Sequence, residues 1–226
     1  MTQYFCSCAI KQLQNIKFLT IIMFKFYANS NILVVGATSS GKTTTVLEII
    51  KQKLIDPWPL KTFYLYGARQ EFMDRWNHNK QNPPIEFVSG LELQVLEKFD
   101  GPKLLVIDDL CLSQNKDLAN HFIRGSHHKQ TTTIYISHSI FLNDDNYRIM
   151  SNNCQYMLIM RNKRNLAQLT RLARQILGTD YIRILEAYNF NKNNQFGFVL
   201  LSFHPKVPEE LLVSTDFFKE CPSIFL

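Results

Sequence analysis

The chain has 226 residues, 46% of them apolar and only 19% charged, which is enough for one sizeable core and excludes a disordered chain. The net charge of +6 and a pI near 9.0 give a moderate bias toward anionic partners such as nucleic acid. The cysteines stand at 6, 8, 111, 154 and 221, an odd number without the spacing of a disulfide framework or a zinc site. They read as free thiols in a reducing compartment.

Phe18 to Phe24 is an apolar run between Lys17 and Lys25, and Ala28-Asn29-Ser30 loosely mimics a signal-peptidase site. The run is far shorter than the roughly 20 residues a spanning helix needs, so no membrane association is expected. Segment 1–28 is expected to be a lead-in packed on the domain, with Met23 as an alternative initiator. Asn31 to Val35 is a short buried strand ended by Gly36. Thr43 to Ile55 carries apolar positions at 46, 47, 49, 50 and 54, one face of a helix, and Asp56-Pro57-Trp58-Pro59 stops it. Strands are expected at Thr62 to Tyr66 and Ile85 to Val88, and a helix at Leu91 to Phe99.

Lys103 to Ile107 is a continuous apolar run of the kind found in strands covered on both faces. A helix around Asp117 to Arg124 and a β-rich Thr131 to Ser137 follow. After a polar stretch from Asn143 to Asn153 comes a strand at Tyr156 to Met160. Asn165 to Leu177 is an amphipathic helix with Gly178 as its C-cap. Asn191-Lys192-Asn193-Asn194 is a turn, and Phe196 to Phe203 is the last strand. Strands separated by helix-length segments define an α/β fold, a mostly parallel sheet flanked by helices. The domain is expected over 29–205, with 206–226 as a C-terminal extension.

Between the first long strand and the first helix lies Gly36-Ala37-Thr38-Ser39-Ser40-Gly41-Lys42-Thr43, followed by Thr44. The glycines allow backbone conformations that turn successive N–H groups toward phosphate oxygens, and the helix adds its positive dipole end. Lys42 is placed to reach the β and γ phosphates, and Thr43 to put its hydroxyl on Mg²⁺. Gly36 through Thr44 is therefore the expected binding stretch for ATP with Mg²⁺. The strand at 103–107 ends in Asp108-Asp109, at the sheet edge where such ligands bind. Asp108 is the expected metal partner and Asp109 the group that accepts a proton from an attacking water. The strand at 62–66 stands between loop and carboxylates in the chain. It points to the RecA/ASCE-like branch, in which another strand separates the two in the sheet.

Three downstream segments carry a family likeness: Asp108-Asp109-Leu110, His121-Phe122-Ile123-Arg124-Gly125-Ser126-His127-His128, and Thr133 to Phe141. Together they resemble the core of viral DNA-packaging ATPases of the FtsK–HerA superfamily, of the poxvirus and Polinton–adintovirus types. Met160-Arg161-Asn162-Lys163-Arg164, Leu172 to Gln175, and Phe196 to Leu201 with Pro205 resemble that family's later segments. The likeness covers about residues 31 to 205. It implies a homo-oligomeric ring that hydrolyses ATP to move double-stranded DNA into a viral capsid, inside an infected cell or associated with the virion. Two departures stand out. Ser137-His138 replaces the polar glutamine that usually ends the family's strand, and Asp109 replaces a common glutamate. His138 is the expected γ-phosphate sensor.

The resemblance also implies an arginine finger from a neighbouring subunit. Arg124 is the first candidate, with Arg161 and Arg164 in reserve. Lys163, Arg164, Arg171 and Arg174 cluster around one helix and read equally as a DNA-backbone contact or as a solvated or subunit-facing surface. His127-His128 fits no standard metal-ligand set. The alternatives are a nucleoside or nucleotide kinase with an arginine-rich lid, a non-packaging DNA translocase, and an ATP-binding scaffold that does not hydrolyse.

Overall fold

The computed structural model describes residues 4–6, 24–108, 110, 116–128, 130–141, 144–162, 164, 166–191, 193–194, 196–219 and 222–226, with only the backbone of 4–6, 116 and 124–128. Two short strands, β1 (Tyr4–Cys6) and β2 (Phe26–Tyr27), come first. Then follow β3 (Asn31–Val35), α1 (Lys42–Lys51), β4 (Ile55–Asp56), β5 (Lys61–Tyr66), α2 (Glu71–Trp76) and β6 (Glu86–Ser89). A 3-10 turn at Leu93–Lys98 leads to β7 (Lys103–Asp108), α3 (Lys116–His128), β8 (Thr131–Ser137), α4 (Asp145–Asn152) and β9 (Tyr156–Met160). The chain closes with α5 (Leu166–Leu177), α6 (Ile182–Phe190), β10 (Phe198–Ser202), β11 (Val213–Thr215) and β12 (Ser223–Phe225).

The uninterrupted apolar runs become the middle of the sheet: β3, β7, β8 and β9 are buried along their whole length. The sheet order is β1-β12-β11-β10-β9-β3-β8-β7-β5-β6. Every pairing from β9 through β6 is parallel. Every pairing from β9 out to β1 is antiparallel. Two apolar layers cover the faces. One gathers Val46, Ile49 and Ile50 of α1 with Phe26, Ile32 and Val34; the other gathers residues of α3, α4, α5 and α6 against Leu33, Val35 and Tyr135. The fold is thus α/β, a mostly parallel sheet flanked by helices.

The helix after the glycine loop ends at Lys51, earlier than Asp56-Pro57 dictates. Lys53 turns left-handed (φ 53), its N–H reaches Ile50 O at 3.1 Å, and Leu54 N–H reaches Ile49 O at 3.1 Å. This pair of hydrogen bonds is the Schellman ending, made here with lysine where glycine is usual.

Several expectations are corrected. The strand that separates β3 from β7 is β8, whereas residues 61–66 form β5 on the far side of β7. Crossover connections let the chain return to a skipped position, so order along the chain does not set order in the sheet. Leu91 to Phe99 contains only a 3-10 turn. The 198–202 strand is not the last, because β11 and β12 extend the same sheet and pair with β10 and β1. Cys154 is a buried free thiol; positions 8, 111 and 221 and residues 18–23 lie outside the described residues. Among the described residues no helix is long and apolar enough to cross a membrane.

Candidate nucleotide-binding site

Gly36 follows β3 directly, and its N–H bonds Ser137 O of β8 at 3.1 Å, so the loop starts tied to its neighbouring strand. A Cβ on Gly36 would lie 2.5 Å from Ser40 Oγ and 2.6 Å from Met160 Cβ, closer than any side chain tolerates. Ser39 (φ 62) and Gly41 (φ 92) are both left-handed, and this alternation curls the backbone so that its N–H groups face inward. Gly41 caps α1 with no side-chain hydrogen bond, and the first helical bond runs from Thr45 N–H to Gly41 O at 2.8 Å. The N–H groups of Lys42, Thr43 and Thr44 therefore have no acceptor within the helix. Ser40 Oγ is buried without a partner among the described residues.

Lys42 is buried. Its Nζ donates to Gly36 O and Ala37 O, each at 2.9 Å, and lies 3.3 Å from His138 Nδ1. His138 stands just past β8, the strand between the loop strand and the acidic strand. Asp108, at the end of β7, is buried, and its Oδ2 accepts from Thr43 Oγ1 at 3.3 Å and from the Tyr64 hydroxyl at 2.5 Å. Burial, and then the adjacent Asp108 carboxylate, push the Tyr64 hydroxyl far above the ordinary phenol range, so it stays a donor.

Lys42, Thr43, Asp108 and His138 are thus brought together at the carboxyl ends of three adjacent strands. Asp109 lies outside the described residues. Arg124 has its backbone in α3, and its side chain lies outside them too. Arg161 follows β9 beside the loop strand, where its Nη1 donates to Asn191 O at 2.9 Å within its own chain. Arg164 is exposed, Arg171 stacks over Phe141 at 5.3 Å, and Arg174 over Tyr181 at 4.7 Å. Lys163 lies outside the described residues. His121 is buried and pairs with Thr133 Oγ1 at 3.0 Å.

Sequence reasoning missed Tyr64. Its strand neighbour across β7 is Val106, two residues before Asp108, so Tyr64 and Asp108 share one face of the sheet. No local signal marks it, because the same strand also carries Lys61, Thr62 and a second tyrosine, Tyr66.

Thr43 Oγ1 and Asp108 Oδ2 are two hard oxygen donors side by side. They fit a Mg²⁺ ion that draws its remaining ligands from phosphate oxygens and water. The strand order around β3, the glycine loop and the lysine-headed helix define a P-loop NTPase architecture, of the branch with a strand between loop and acidic strands.

No family model matches the chain, and no curated protein matches it. By fold it is similar to the genome packaging NTPase of Sulfolobus turreted icosahedral virus 2 in complex with ATP-gammaS. That match has 13% identity and a TM-score of 0.48, over 77% of this chain and 93% of that one. A KaiC-like protein from Pyrococcus horikoshii OT3 matches at 12% identity and a TM-score of 0.48, over 89% of this chain and 92% of that one. The flagellar accessory protein FlaH from Methanocaldococcus jannaschii matches at 13% and 0.43, over 59% and 72%. At these identities and TM-scores none of them bears on what this chain does.

Proposed function

We propose that this chain binds ATP with Mg²⁺ and hydrolyses it, and that turnover drives double-stranded DNA through a homo-oligomeric ring into a viral capsid. The observation that carries the first half is the convergence around the loop of two contacting pairs, Lys42 with His138 and Thr43 with Asp108, each at 3.3 Å. The second half rests on the resemblance of residues 121–128 and 133–141 to packaging ATPases.

In this reading Lys42 exchanges its bonds to the Gly36 and Ala37 carbonyls for β- and γ-phosphate oxygens. The N–H groups from Gly41 to Thr44 hold the phosphates in place. Thr43 and Asp108 hold Mg²⁺, which when bound screens the phosphate charge for in-line attack. Tyr64 keeps Asp108 fixed by donating to one of its oxygens. Asp109 takes the proton of the attacking water, and His138, beside Lys42, contacts the γ-phosphate. Arg124 of a neighbouring subunit supplies positive charge to the transition state, so the site works only in the assembled ring. Arg171 and Arg174 are both exposed on α5 and offer non-specific contacts to the DNA backbone.

The test is ATP turnover of the purified chain, with and without linear double-stranded DNA, at several protein concentrations. Turnover that rises with both supports an assembling motor with shared sites. Turnover indifferent to both, with phosphoryl transfer to added nucleosides, replaces the motor with a kinase.

A further inference from the structure

Phe196, two residues before β10, lies against the phosphate loop. A Cβ built on Gly41 would lie 2.5 Å from Phe196 Cδ1 and 3.0 Å from Phe196 Cγ, so the ring rests directly on the glycine before Lys42. Exposure of a single phenylalanine needs no explanation. This one, however, is 43% exposed at the rim of the site while one edge stays seated on Gly41.

The ring is held from behind. Asn191 is buried, and its Nδ2 donates to Phe198 O at 3.1 Å and to Thr215 Oγ1 at 2.6 Å. Arg161 ties the loop at both ends, through Nη1 to Asn191 O at 2.9 Å and its backbone N–H to Gly197 O at 2.8 Å. Asn194 Oδ1 accepts from Phe196 N–H at 3.2 Å. Gly197 closes the turn so tightly that a Cβ there would meet Asn191 Cβ at 2.6 Å. The aromatic position is therefore set in advance by the fold.

The phosphate-directed groups, Asp108 and His138, all lie on the β7 and β8 side of the loop strand. A nucleotide with its γ-phosphate toward that side sends its base to the opposite side, where β9, β10 and Phe196 stand. We infer that Phe196 is the platform on which the nucleobase of the bound triphosphate stacks. The inference rests on the reading that the glycine loop binds a nucleotide. Stacking uses the π-face common to every base, so the platform tolerates both purines and does not discriminate between them.

The experiment uses the full chain and its Phe196→Ala, Phe196→Trp and Lys42→Ala variants, with binding of ATP, GTP and inorganic tripolyphosphate measured by calorimetry. Phe196→Ala is expected to weaken ATP and GTP about tenfold and leave tripolyphosphate unchanged. Phe196→Trp restores ATP affinity, and its added indole emission is quenched by ATP and not by tripolyphosphate. Equal loss for ATP and tripolyphosphate makes the ring a mere support of the loop and overturns the platform. Unchanged ATP affinity in Phe196→Ala overturns it as well. If wild type binds neither ATP nor tripolyphosphate, or Lys42→Ala weakens neither, the nucleotide reading falls and takes the platform with it; the two preceding outcomes remove the platform alone.

Discussion

The two flanks of β3 treat the same loop differently. On the β8 and β7 flank the strand ends deliver polar side chains, His138, Asp108 and, through it, Tyr64. On the β9 and β10 flank they deliver Met160, packed on Gly36, and Phe196, packed on Gly41. The pairing geometry changes at the same place, parallel on the first side and antiparallel beyond β9 on the second. Parallel strands bring several carboxyl ends to one edge, where hydrogen-bonding groups converge. An antiparallel strand instead brings its starting end there, and the loop before β10 reaches the site with it. One flank is thus built for charge and the other for contact.

Substitutions can break this division or sharpen it. The largest effect is expected outside both flanks, from Arg124→Ala, which should lower ATP turnover about a thousandfold or more while nucleotide binding and assembly persist. Steady-state rates beside size-exclusion profiles check this, and normal turnover would remove Arg124 from the site. Lys42→Ala should cut turnover by roughly a hundred- to a thousandfold and weaken tripolyphosphate as well, since its ammonium belongs to the polar flank.

Tyr64→Phe tests the flank more finely. Loss of the hydroxyl on Asp108 should weaken divalent-cation affinity about tenfold. Titration with Mn²⁺ followed by electron spin resonance reads this directly, and nucleotide binding in chelator should not change. If cation affinity is unaltered, the Tyr64–Asp108 bond only fills the core.

The effect that touches the site least lies in the core behind it. Burial pushes the Tyr147 hydroxyl, which donates to Ser139 O at 2.6 Å, from 10.0 up to about 12. The folded state therefore keeps this proton after the unfolded chain has lost it. The stabilisation it supplies is complete below about pH 10 and is lost as pH rises toward about 12, a total on the order of 2–3 kcal/mol. Urea unfolding across that range should show a shallower alkaline decline for Tyr147→Phe than for wild type.

Much of the architecture was legible because its signals are local. The glycine loop, the strand before it and the apolar 103–107 run each announce themselves in a few consecutive residues. Other elements hid behind polar composition. The stretch 143–153 reads as polar, yet Asp144 caps a helix there by accepting from Tyr147 N–H at 2.8 Å, and only Tyr147 and Met150 are buried. Residues 182–190 form a short helix whose buried face is only Ile184, Ala187 and Tyr188, a spacing too brief to stand out from the flanking polar turn. β11 and β12 have three residues each, too few for any period to show. The polar site was partly legible: Lys42, Thr43 and Asp108 carry motif signals. Tyr64 carries none, and Phe196 falls in a segment that resembles the family without marking a place at the site, because both positions depend on which strand lies beside which.

Lys42 has one further consequence. Its ammonium already satisfies two carbonyls of its own loop, so an arriving phosphate replaces existing bonds and adds few new ones. The free energy of capture is then a difference between two well-made arrangements, and it is smaller than the contacts with phosphate alone suggest. In the proposed turnover the same internal alternative is waiting when the product departs, which shortens its residence. A loop with its own replacement ligands gives up some affinity in return for the frequency with which it can start again.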